Sequence, residues 1–152
     1  MSFWGSAISY LGGGDPPMPS FLDAGTADLV SALDGTTTPA FPATVVQGNF
    51  LLLHIALSDS TAPSVTTPTG WTAIGGFPGG SSVTKQFAYY KVADGTETGS
   101  ESVTITNDAG GASRIYRFSS GSGVEAANGS RTAASSTSMP ATDVTTLGNN
   151  RL

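Results

Sequence analysis

Acid–base or metal chemistry in this chain would have to be built around a single imidazole, because His54 is its one histidine and cysteine is absent. Two-histidine and thiolate metal sites are both excluded, and a serine nucleophile would have only this ring for its base. His54 stands in NFLLLHIAL (residues 49–57), at strand spacing from Phe50, Leu52 and Ala56, with no catalytic motif around it. It reads as a core or interface histidine. The acidic residues fall mostly in turns, as Asp34-Gly35, Asp59, Asp94-Gly95 and Asp108, where turn geometry accounts for them without catalysis. Loop oxygens of Asp59, Asp94, Glu97 or Asp108 would suit calcium, although no EF-hand-like spacing is present. Gly75-Gly76 and Gly79-Gly80 flank Phe77-Pro78 in the manner of a phosphate loop, but no Lys-Ser/Thr follows and no helix is expected to open there. The chain reads as non-enzymatic, with no cofactor and no metal.

The aromatic residues are the better-supplied set. Trp71, Phe87, Tyr89, Tyr90 and Tyr116 can fill a core or offer ring faces to a sugar, and the bulk of Trp71 and Phe87 favours the core. Tyr89 and Tyr90 are successive residues of KQFAYYKV (85–92), so a strand sends them to opposite faces. One of them at most shares a layer with Trp71. Both are candidate glycan-binding residues. A second aromatic group, Phe3, Trp4 and Tyr10, lies in residues 1–20, where Gly12 to Gly14 loosen the chain and Pro16, Pro17 and Pro19 forbid helix and ladder. This segment is expected to be an arm that docks on another protein through those three side chains.

Composition says which elements must position these groups. Charged residues are 11% of the chain, Ser and Thr are roughly a quarter, and 20 Gly and 9 Pro punctuate it. Such a chain makes many short strands joined by turns. Strand signals fall at residues 27–33, 43–47, 49–57, 71–74, 85–92, 102–106 and 112–118, with a weaker one near 137–144. Residues 49–57 are apolar on both faces, the pattern of a central strand covered on both sides. Leu51, Leu53, Ile55, Trp71, Phe87, Val103 and Ile115 are the expected core. The fold class is all-β: an antiparallel, jelly-roll-like sandwich over residues 21–152, preceded by the arm. A net charge of −5 argues against nucleic acid or an anionic membrane as partner. The first ten residues lack a signal-peptide pattern, and no run reaches the ~18 apolar residues of a membrane span. Synthesis in a cytoplasm is expected. Arg151-Leu152 looks like the first step of a strand, so the sandwich is expected to continue beyond residue 152.

Four segments in order carry a resemblance: Gly48-Asn49-Phe50-Leu51-Leu52-Leu53, Thr67-Pro68-Thr69-Gly70-Trp71-Thr72, Tyr89-Tyr90-Lys91-Val92-Ala93-Asp94-Gly95-Thr96-Glu97, and Ile115-Tyr116-Arg117-Phe118-Ser119. The set resembles a β-sandwich domain of tailed-bacteriophage virion proteins, and it covers residues 43–119. Asn49 stands where that pattern usually has Asp. The resemblance implies a virion structural protein of tail fibre, baseplate or head decoration, a homo-oligomer and often a trimer, partnered by other capsid or tail proteins. It implies no catalytic residues. The alternative reading is a carbohydrate-binding module, or a receptor-binding adhesin, that recognises a cell-surface glycan.

Overall fold

The computed structural model describes residues 19–31, 35–58, 62–74, 79–80, 84–106 and 110–121. Among them are ten strands and no helix: β1 (Phe21–Ala24), β2 (Asp28–Val30), β3 (Thr36–Thr37), β4 (Phe50–Ser58), β5 (Ser64–Val65), β6 (Thr72–Ala73), β7 (Gly79–Gly80), β8 (Thr84–Val92), β9 (Val103–Thr106) and β10 (Gly110–Phe118). The chain is all-β and every pairing is antiparallel. A seven-stranded sheet runs β1-β10-β4-β8-β6, with β2 also on β10 and β7 on β8. A three-stranded sheet runs β3-β9-β5.

The three nine-residue strands form the frame. β4 lies between β10 and β8 and pairs with each along its whole length, from Phe50↔Phe118 and Phe50↔Val92 to Ser58↔Gly110 and Ser58↔Thr84. Its alternation sorts the side chains. Leu51, Leu53, Ile55 and Leu57 are buried toward the core, while Leu52, His54 and Ala56 are half-buried on the opposite face. The core cluster adds Val30, Trp71, Phe87, Tyr89, Ala93 and Ile115, together with Val103 and Ile105 from the three-stranded sheet. All seven expected core residues are buried. Each fully buried aliphatic or aromatic side chain contributes roughly 1.5–3 kcal/mol relative to exposure.

Local chemistry fixes the approach of strands and loops. At Gly111 a Cβ would lie 2.0 Å from the Ala56 carbonyl oxygen, so only glycine lets β10 run this close to β4. The two sheets are also joined by a buried relay. Ser113 on β10 donates to Thr37 on β3 (2.5 Å), and Thr37 in turn donates to the Asp28 carboxylate on β2 (2.7 Å). Neither hydroxyl is left unsatisfied.

Several expectations need correction. Residues 43–47 form turns rather than a strand: Val46 N–H donates to Asn49 Oδ1, Asn49 N–H donates back to the Val46 carbonyl, and Val46 stays exposed. The strand expected over 27–33 is shorter, at β2, and that expected over 71–74 is reduced to β6. Phe21–Ala24, Thr36–Thr37 and Ser64–Val65 are strands that local pattern did not indicate. The segment near 137–144 and residues 151–152 lie outside the described residues.

Candidate functional site

Tyr89 and Tyr90 do take opposite faces of β8. Tyr89 is 4% exposed, packed in the core cluster with Trp71, and its hydroxyl is hydrogen-bonded to the Thr67 side chain. Burial raises its pKa, outweighing that bond. Tyr90 points away from the core, half-buried, its ring stacked on Phe50 at 5.5 Å and 15°. Phe3, Trp4 and Tyr10 lie outside the described residues. Ser20 does not: its N–H and hydroxyl both donate to Ser119 Oγ, and its carbonyl accepts from Ser119 N–H. The last residue of the expected arm is therefore tied to the end of β10.

Cross-strand register builds the outer face of the seven-stranded sheet row by row. Phe118, Phe50 and Val92 make one row, and Tyr116, Leu52 and Tyr90 the next. Arg114, His54 and Ala88 follow, then Ala112, Ala56 and Gln86. Phe21 extends the first row, its ring edge-on to Phe118 at 5.8 Å. Phe21 is 58% exposed, Leu29 79% and Val92 47%. Phe50 sits on this face yet is fully buried, between the stacked Tyr90, an edge-on Phe118 at 6.2 Å and the backbone of Gly121. His54 Nε2 is 3.2 Å from Gln86 Oε1. Its ring belongs to this surface and not to the core.

The described carboxylates are all engaged by the fold. Asp23 receives both Nε (2.7 Å) and Nη2 (2.8 Å) of Arg117, a two-point grip that lowers its pKa. Arg117 also donates to the Thr44 carbonyl and to Asn49 Oδ1, holding the 43–49 loop against the sheet. Asp28 accepts from Thr37 and from Thr38 N–H. Asp94 accepts the N–H and hydroxyl of Thr96, which lower its pKa. Glu101 accepts from Trp71 Nε1 at 3.0 Å. Glu97, its side chain 3% exposed, pairs with Lys91 at 2.8 Å and accepts the N–H groups of Asp94 and Gly95. Burial pushes its pKa up, but Lys91 and the backbone donors outweigh burial and leave it lowered.

This arrangement explains why Lys91, Gly95 and Glu97 occur together. Gly95 takes φ +89°, which turns its N–H toward the carboxylate, and the Lys91 ammonium lies 5.8 Å from the Trp71 ring centroid. Of the proposed calcium ligands, Asp94 and Glu97 are committed in this way, while Asp59 and Asp108 lie outside the described residues. Among the described residues no group of three or more potential metal ligands occurs. A cleft of about 230 Å³ beside β5, β6 and β8 is lined by Val65, Thr67, Ala73, Ile74, Phe87 and Tyr89. It carries no ionisable group except the Tyr89 phenol, and it is smaller than ordinary ligand pockets.

The residues that sequence reasoning missed are Leu52, Arg114, Tyr116, Phe118 and Gln86 as members of one surface. A signal did exist. β4 is apolar on both faces, and Arg114, Tyr116 and Phe118 alternate with Ile115 and Arg117 along β10. Only the pairing of β10 with β4 brings the two stripes together. Comparison with protein-family models, curated proteins and solved structures finds no match to this chain.

Proposed function

We propose that this chain is a non-enzymatic structural protein of a tailed-bacteriophage particle. Its two sheets would be the layers of a jelly-roll-like sandwich displayed on the exterior, as head decoration or as part of a tail fibre or baseplate. Residues 1–20, with Phe3, Trp4 and Tyr10 as anchors, hold it to other virion proteins, in a homo-oligomer of which a trimer is the expected form.

One observation carries the non-enzymatic part: all five described carboxylates (Asp23, Asp28, Asp94, Glu97 and Glu101) are engaged by groups of the fold itself. A carboxylate that must move protons needs a free coordination partner and a tuned pKa near its working pH. Here the resolved carboxylate shifts run downward, away from such a role. Low charge and a surface of neutral polar residues suit a protein that acts by contact outside cells. The ordered segments from Gly48 to Ser119 supply the phage assignment, as a resemblance.

The Ser20–Ser119 clasp sets where the arm can be removed. Deleting residues 1–18, which keeps the clasp, is expected to leave circular dichroism and melting temperature unchanged and to abolish incorporation into particles. Normal incorporation of the shortened chain would rule the arm out as the anchor. The alternative reading, recognition of a cell-surface glycan, is favoured by a separate observation, the exposed Phe21 and the half-buried Tyr90, Tyr116 and Phe118 on the outer sheet face.

A further inference from the structure

We propose that the outer face of the seven-stranded sheet binds an acidic oligosaccharide, with Tyr116 and Tyr90 as ring platforms and Arg114 as the anchor for a sugar carboxylate. The inference deepens the contact reading and rests on it only in requiring this face to be open to solvent on the assembled particle.

Geometry selects a sugar. Tyr116, Leu52 and Tyr90 form one cross-strand row. Neighbouring strands lie about 4.8 Å apart, so the two tyrosine positions are separated by roughly 10 Å, a span filled by an oligosaccharide and not by one ring. Both side chains are set before any ligand arrives. Tyr90 is stacked on the fully buried Phe50, and Tyr116 lies beside the Arg114 guanidinium at 5.9 Å. Rings already fixed by packing lose little freedom on binding, which is the condition for useful affinity on a flat surface. One and two rows away, the His54 and Gln86 side chains supply polar atoms for sugar hydroxyls.

Charge selects an acidic sugar. The whole chain carries −5, yet no carboxylate occupies a register position on this face of β4, β8 or β10. Asp23 is at the level of Arg117, on the opposite side of the sheet, and Glu97 and Glu101 are engaged near Lys91 and Trp71. Arg114 is exposed and is oriented by Nε donating to the Gly25 carbonyl at 2.9 Å. A guanidinium positioned in this way, on a face where the described strands place no carboxylate, is complementary to a carboxylate borne on an otherwise apolar ring face.

The test uses the purified full chain against 3′-sialyllactose and hexagalacturonate as acidic probes and lactose and cellohexaose as neutral ones, by titration calorimetry and NMR. At least one acidic probe is expected to bind, shifting resonances of Tyr90 and Tyr116, with neutral probes at least tenfold weaker. Arg114→Gln should weaken the acidic probe at least tenfold while the variant stays folded by circular dichroism, and Tyr116→Ser should do the same. Equal binding of neutral probes, or binding indifferent to Arg114→Gln, would overturn the acidic assignment, and binding of none would overturn the proposal. Concentration-dependent self-association abolished by Leu52→Glu would assign the face to a second copy and overturn it too. Particle incorporation of Arg114→Gln, measured separately, is expected to be normal, so failure here is distinguishable from failure of the virion reading.

Discussion

Replacing Leu53 by alanine is expected to destabilise the domain by about 2–5 kcal/mol, one of the two largest single effects foreseen for this chain. Leu53 is fully buried at the middle of β4, directly between Ile115 on β10 and Tyr89 on β8. The cost of such a truncation depends on how far the surroundings can relax into the void. Here both neighbouring strands are paired with β4 over nine residues each, so the backbone has little room to close. The upper half of the range is expected. Urea denaturation at neutral pH measures it, with Leu29→Ala as the control. Leu29 is 79% exposed and its loss should cost under about 0.5 kcal/mol. A Leu53→Ala variant as stable as the parent would show that β4 does not face the core as described.

Replacing Lys91 by methionine is expected to cost about 3 kcal/mol at neutral pH, because it leaves the Glu97 carboxylate buried without its cation. Methionine keeps much of the apolar stem near Trp71, so the loss reports the charge. The effect stays toward the lower end of the usual range because Asp94 and Gly95 N–H groups still reach the carboxylate. A pH dependence follows from the lowered pKa of Glu97. In the unfolded chain it titrates near its ordinary 4.5, and in the fold it titrates lower. The unfolded state therefore binds more protons in that window, and the stabilisation is full above it and is lost as pH falls through the folded pKa. Asp23, lowered by Arg117, acts in the same direction. The difference between parent and Lys91→Met should accordingly shrink as Glu97 is protonated. A gap that is constant from pH 7 to pH 3 would mean that Glu97 is not the group left unpaired.

What could be read from the sequence follows from the physics of each element. The long strands β4 and β8 were legible as apolar-rich runs bounded by turn residues such as Gly48 and Asp94-Gly95, and the short β9 by its clean alternation; their apolar members include Leu51, Leu53, Ile55, Phe87 and Val103 of the core. β1, β3 and β5 were not legible. They are two to four residues long, and their pairing is decided by distant partners: Phe21 with Phe118, Thr37 with Val103, Ser64 with Thr106. Residues 43–47 misled in the opposite sense. Val45 and Val46 suggest a strand, but the Asn49 side chain captures the Val46 amide and Arg117 captures the Thr44 carbonyl, which makes turns instead.

The candidate surface shows the same division. Opposite orientation of Tyr89 and Tyr90 follows from strand geometry, but which of them faces the core depends on the register of β8 against β4, where Leu53 meets Tyr89 and Leu52 meets Tyr90. The placement of Arg114 was hidden for a related reason. Its neighbours Tyr116 and Ile115 are visible in the sequence, whereas Gly25, which accepts its Nε, and His54, which flanks it, come from remote parts of the chain.

On the proposed function, the chain acts by contact on the exterior of a particle, with its arm inward and the outer sheet face outward. An electron-microscopy density map of the intact particles tests this most directly. The predicted result is two-sheet density on the particle surface, with Pro19 and Ser20 directed toward the particle and Tyr90, Arg114 and Tyr116 facing solvent. Absence of the chain from purified particles, or density in which that sheet face is buried against a neighbouring virion protein, would contradict it.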